Sequence, residues 1–170
     1  VIHIEIPELM VEDKQPLIDH YYATETSIIT MWRQGLVTNK YKGLNFLELD
    51  TIPDCLDQIV KKINPDFFKG IYYCMSNSNI GKHKDYGKLQ RPELGRNSAI
   101  GIELINEYDI PVSYEQCDVY YHVPVLMNTY ETHWVNNANN EFRLFVQVEL
   151  MRERKFDDYV NEYRNGNLIV

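Results

Sequence analysis

Phe142-Arg-Leu-Phe-Val-Gln-Val-Glu-Leu150 is the stretch on which the reading of this 170-residue chain turns. Its residues follow the two-residue period of a strand. Leu144, Val146, Val148 and Leu150 form one face, and Arg143, Phe145 and Gln147 the other. An arginine on a sheet face costs free energy unless an anion meets it. Its planar fork of donors matches a carboxylate with two parallel hydrogen bonds. The bland alternative is a solvated cation on an edge strand. Working back from this segment, Val125 to Thr129, Cys117 to Val123, Ser98 to Ile105 and Phe68 to Met75 are further apolar and aromatic runs that predict strands. Ser76 to Asn79, Asn106 to Asp109 and Asn136 to Asn140 separate them and are rich in turn-forming Asn, Ser and Asp.

The N-terminal third reads differently. Val1 to Ile6 alternates apolar with polar residues and is stopped by Pro7, which predicts a short edge strand. Pro16 to Gln34 places Ile18, Tyr21, Tyr22, Ile28, Ile29 and Trp32 at helical intervals. Thr51-Ile-Pro-Asp54 is a capping-box variant ahead of Leu56, Ile59, Val60 and Ile63, which predicts a helix from about Pro53 to Ile63 ended by Asn64-Pro65. Phe156 to Tyr163 is an amphipathic piece suited to a C-terminal helix. The expected fold class is mainly β with flanking helices (α+β), the helices bracing one face of a two-sheet barrel. The expected organisation is a single domain over residues 1–170, with an N-terminal helical brace over about 1–66 and a barrel core over about 67–150, since the length suits one hydrophobic core.

A net charge of −8 and a pI near 5.1 supply no field to attract a polyanion, so nucleic acid is a disfavoured partner. Cys55, Cys74 and Cys117 are odd in number and widely spaced, and they form no C-x-x-C pair. The expected location is therefore a reducing cytoplasm. No apolar run approaches the roughly 18 residues that cross a bilayer, so a membrane partner is not expected.

His83-Lys84-Asp85 sets two metal-ligating side chains one residue apart, and in extended chain residues i and i+2 point to the same side. His133 follows the run Val125 to Thr129, where a second sheet can deliver a third ligand. Two histidines and one carboxylate on one face of an ion leave its other positions open, the pattern of non-haem Fe(II) oxygenases. A closed zinc site needs a fourth protein ligand, and none has suitable spacing. An isolated H-x-D is weak evidence on its own; the distal histidine and the strand arginine, in the right order, give the set its weight. His122, in Tyr120-Tyr-His-Val123, reads as a packing histidine, and His3 and His20 are weaker candidates still.

The order His83-x-Asp85, His133 and, ten residues on, Arg143 resembles the 2-oxoglutarate/Fe(II)-dependent dioxygenase superfamily. Val125-Leu-Met-Asn-Thr-Tyr-Glu-Thr-His-Trp-Val-Asn136 with Phe142-Arg-Leu-Phe-Val146 is similar to the distal-histidine and arginine strands of small prolyl and aspartyl/asparaginyl hydroxylases. Arg96 to Leu104 resembles the strand that follows H-x-D in those proteins. The resemblance covers about Phe67 to Leu150. It implies a double-stranded β-helix (jelly-roll, cupin-like) barrel, with Fe(II) held by His83, Asp85 and His133 as metal ligands and catalytic centre. It further implies that Arg143 binds the distal carboxylate of the cosubstrate 2-oxoglutarate, with Tyr72 or Tyr73, Asn97 and Asn128 as added cosubstrate contacts. Tyr86 and Trp134 flank the ligands as candidates for shaping their surroundings. The implied reaction uses O2 to hydroxylate a C–H bond of a protein or peptide side chain or of a small molecule, releasing succinate and CO2. The alternative is a non-catalytic cupin-like barrel that binds a metal or ligand.

Overall fold

The computed structural model describes residues 1–24, 45–48, 52–85 and 98–170, with 24 and 45–48 described by backbone alone. Among these residues the strands are β1 (His3–Glu5), β2 (Asn45–Glu48), β3 (Phe68–Ser76), β4 (Ile80–His83), β5 (Ser98–Ile105), β6 (Val112–Tyr114), β7 (Asp118–Val119), β8 (Val125–Asn128), β9 (His133–Val135) and β10 (Arg143–Leu150). The helices are α1 (Gln15–Thr24), α2 (Asp54–Val60) and α3 (Phe156–Arg164), and a 3-10 turn spans Pro7–Leu9. The fold is mainly β with flanking helices. Six strands form a large sheet in the order β1-β8-β5-β10-β3-β2, and four form a small one in the order β4-β9-β6-β7. Every pairing is antiparallel.

The large sheet is buried on both faces. Leu144, Val146, Val148 and Leu150 of β10, with Ile100 and Ile102 of β5 and Leu126 of β8, pack against Leu17 and Tyr21 of α1, Leu56 and Ile59 of α2, and Phe156, Tyr159 and Val160 of α3. Each fully buried aliphatic side chain contributes about 1.5–3 kcal/mol relative to exposure. The opposite face sends Phe145, Tyr72, Cys74, Val125 and Met127 toward Ile80, Val112, Tyr114, Val119 and Val135 of the small sheet. The alternation along Phe142 to Leu150 thus separates a helix-covered face from a sheet-covered one. Gly101 of β5 keeps the second face passable: a Cβ there would stand 2.7 Å from Cε1 of the buried Tyr121 ring.

Several sequence expectations need correction. Cys117 to Val123 pairs only over Asp118–Val119. The in-and-out alternation nonetheless continues, with Val119 and Tyr121 buried and Tyr120 and His122 exposed, until Pro124, which has no N–H to donate. Ser76, read as the start of a turn, is the last residue of β3 and is paired with Arg143. The second helix is shorter than expected. Pro53 is its N-cap, Lys61 its C-cap, and Ile63 forms a bridge with Ile169. Thr51 lies outside the described residues, as does the part of the Pro16 to Gln34 helix beyond Thr24. The C-terminal helix falls where expected, with the Asp158 carboxylate accepting the Lys155 N–H at 2.9 Å. No helix among the described residues is long and apolar enough to cross a membrane.

Candidate metal centre

β4 and β9 bring His83 and His133 directly opposite each other. A register irregularity makes this possible. Ile80 pairs with Val135 and His83 with His133, so three steps on β4 match two on β9. Strict alternation would turn His83 away from the face that Ile80 shares with the core. The extra residue re-aims it inward, the usual effect of a bulge beside a site. Asp85 follows in a turn fixed by its N–H, which donates to the Thr129 carbonyl at 3.1 Å. That bond ties the turn to the end of β8.

Three donor atoms, one each from His83, Asp85 and His133, lie within 4.8 Å of one another. His133 Nε2 is 3.2 Å and His83 Nε2 3.5 Å from the same oxygen, Asp85 Oδ1. Metal bonds of about 2.0–2.2 Å to nitrogen and oxygen place neighbouring ligand atoms on one ion roughly 3.0–3.5 Å apart. The observed spacings fit. Each imidazole is also oriented from behind: His83 Nδ1 is 2.8 Å from the Gly81 carbonyl, and His133 Nδ1 is 2.8 Å from the Glu131 carbonyl. Nδ1 must donate to a carbonyl, so each neutral ring directs the Nε2 lone pair at the common point. Two imidazole nitrogens and a carboxylate oxygen turned to one point, with the Asp85 side chain only 8% exposed, form a donor set suited to a divalent cation. Among the described residues no fourth His, Cys, Asp or Glu joins the cluster.

A second polar cluster lies on the same side of the large sheet. Arg143 is 3% exposed, its guanidinium lies over the Phe145 ring at 4.7 Å, and its Nη2 donates to the Ile110 carbonyl at 3.3 Å. Its Nε is buried without a partner. Burial lowers the Arg143 pKa below its ordinary value, so a buried anion would be welcome there. Among the described residues no carboxylate lies within ion-pair distance of it. Tyr121 lies within electrostatic reach of both Arg143 and Asp85, and burial raises its hydroxyl pKa well above the ordinary value, keeping it a proton donor. It escaped the sequence reading; the available signal was its place in Tyr120-Tyr-His-Val123, a run whose facing depends on where the ladder ends.

The other expected residues divide. Tyr72 sits opposite Gln147 and faces the small sheet, with its hydroxyl donating to Gln147 Oε1 at 3.0 Å. Tyr73 faces the helices, fully buried, with its hydroxyl 2.9 Å from His20 Nδ1. Asn128 follows Met127, so alternation turns it away from the face that Met127 shares with the small sheet, and its Oδ1 accepts the Tyr130 N–H at 3.2 Å. Asn97 and Tyr86 lie outside the described residues. Trp134 alternates with His133 and Val135, which turns its ring outward, where Lys82 Nζ stands 4.4 Å from its centre. That places it on the opposite face of β9 from His133 rather than beside the metal ligands. His122 is exposed rather than packed, and its Nε2 meets Asp109 Oδ1 at 2.6 Å.

No family model and no curated protein matches the chain. Solved structures do. The viral collagen prolyl hydroxylase of Paramecium bursaria Chlorella virus-1, in its 2OG complex, superposes with a TM-score of 0.54 over 88% of this chain and 96% of that one, at 10% identity. A prolyl-4-hydroxylase from Pseudomonas putida gives a TM-score of 0.53 over 88% and 92%, at 12% identity. The chain has the fold of these prolyl hydroxylases.

Proposed function

We propose that the chain is an Fe(II)- and 2-oxoglutarate-dependent oxygenase that hydroxylates a C–H bond. The supporting observation is the convergence of His83, Asp85 and His133, with both Nδ1 atoms committed to backbone carbonyls and both Nε2 atoms turned to one carboxylate oxygen. In this reading the three side chains hold the iron and leave adjoining positions for cosubstrate and O2. Iron bound there would activate O2, the oxidant, with 2-oxoglutarate as co-reductant: one oxygen atom would enter the substrate C–H bond, and the other would end in succinate as CO2 is lost. The protein's own part is positioning. Arg143 meets the distal carboxylate, Phe145 supports its guanidinium, and Tyr121 is a neutral donor within electrostatic reach of both Arg143 and Asp85. Tyr72 helps to hold that wall through Gln147.

The barrel is a double-stranded β-helix within a single domain over residues 1–170. In support, β1 pairs with β8, and Ile6 and Leu168 share one core cluster with the central strands. The similar structures belong to prolyl hydroxylases, one of them named for collagen, which favours a peptide or protein side chain as substrate over a free small molecule. A reducing cytoplasm suits Cys55, Cys74 and Cys117, none of which forms a disulfide.

Succinate formation is the deciding assay. Incubation with Fe(II), 2-oxoglutarate and O2 should yield succinate above the protein-free background, more so with proline-containing peptides that gain the mass of one oxygen. A protein that binds Fe(II) but forms no succinate with any peptide would instead be a metal-binding barrel of the cupin kind.

A further inference from the structure

Within the described residues, buried side-chain polar atoms without a hydrogen-bond partner come from two residues, Ser76 (Oγ) and Arg143 (Nε). They are not scattered. Ser76 and Arg143 are directly opposite each other on β3 and β10, so both side chains project from the same face of the large sheet. That face also carries Tyr72, Cys74 and Phe145, and it is the one turned toward the small sheet and the metal cluster. Ser76 is 1% exposed and Arg143 3%, so bulk water does not satisfy either. Folded chains rarely leave such groups unmet, and two unmet groups side by side point to a missing common partner.

The chemistry of that partner follows from the donors. A serine hydroxyl and a guanidinium N–H both donate, and one of the two carries charge. A carboxylate has two oxygens with room for several donors, and its charge cancels that of the guanidinium. A water molecule would satisfy Ser76 but leave the arginine charge uncompensated. We infer that Ser76 is a positioning residue whose hydroxyl joins Arg143 in binding the distal carboxylate of the cosubstrate. This assignment rests on the oxygenase reading and adds to it a residue on the strand beside the arginine.

The test compares two ligands on protein loaded anaerobically with Fe(II): 2-oxoglutarate, and 2-oxopentanoate, which has the same carbon chain without the distal carboxylate. Calorimetry gives the affinity of each for the wild type, Ser76→Ala, Ser76→Thr and Arg143→Met. A hydrogen bond to a charged group is strong enough that Ser76→Ala should weaken 2-oxoglutarate by about tenfold or more. The same change should leave 2-oxopentanoate unaffected. Ser76→Thr, which keeps the hydroxyl, should retain most of the affinity. Thermal melting of the metal-free protein adds a readout independent of binding. Ser76→Ala removes an unmet buried hydroxyl, so its midpoint should hold or rise. If Arg143→Met loses 2-oxoglutarate while Ser76→Ala binds it as the wild type does, the assignment of Ser76 is wrong and the oxygenase reading stands. Equal weakening of both ligands by Ser76→Ala, with a lowered melting point, would mean a purely structural serine. A wild type that binds neither keto acid would remove the oxygenase reading and this contact with it.

Discussion

The two faces of the large sheet are built from the same strands and treat polarity in opposite ways. On the helix side, Leu144, Val146 and Val148 of β10 meet other apolar residues, and the buried Tyr73 and Tyr159 have their hydroxyls engaged by His20 and by the Met151 carbonyl. On the small-sheet side, the intervening residues of the same strand are Arg143, Phe145 and Gln147, and the unmet donors Ser76 Oγ and Arg143 Nε lie there. The first face is organised for stability. The second carries groups whose burial is unfavourable on its own and becomes favourable when an opposite charge stands among them. Substitutions on the two faces should therefore move stability and binding separately.

The largest effect is expected at Asp85. Asp85→Ala removes the one oxygen that both imidazoles face, so calorimetry under argon should register no Fe(II) binding, while the circular dichroism of the metal-free protein stays that of the wild type. The helix-side counterpart is Leu126→Ala. Leu126 is fully buried, and truncation should cost about 2–5 kcal/mol in urea unfolding. Its Fe(II) affinity, measured where the variant is still folded, should not change. Arg143→Met should reverse that pattern. The metal-free protein should unfold at the same urea concentration or a higher one, because a buried charge with an unmet Nε is gone, yet 2-oxoglutarate binding should weaken by about 2–4 kcal/mol. Gly101→Ala should give the smallest change and touch both properties. Its methyl would press on the Tyr121 ring, for about 1–3 kcal/mol of stability and a lower cosubstrate affinity. If Leu126→Ala altered metal affinity as much as stability, the separation of the faces would be refuted.

The long elements were legible because their periods are long enough to read. β5, β10 and α3 lie within a residue or two of their expected bounds, each resting on eight or more residues of consistent pattern. β4, β6 and β9 were not expected as strands, since three or four residues cannot establish a period and their pairing depends on partners distant in the chain. Yet two of these short strands carry the histidines. Their residue types and order were legible, whereas the bulge that turns His83 inward was not, because it exists only against β9. The choice between Tyr72 and Tyr73 likewise waited for the register with Gln147. Ser76 gave no signal at all: within Ser76-Asn-Ser-Asn79 it looks like turn, and its significance comes from standing opposite Arg143.

The central claim is one ion held by three side chains with open positions beside it. Anaerobic addition of Fe(II) and 2-oxoglutarate should produce a weak metal-to-ligand charge-transfer band in the green, at one iron per chain, present only when both are added and absent from His133→Ala. A wild-type protein that shows no such band, or a His133→Ala variant that retains it, would contradict the account.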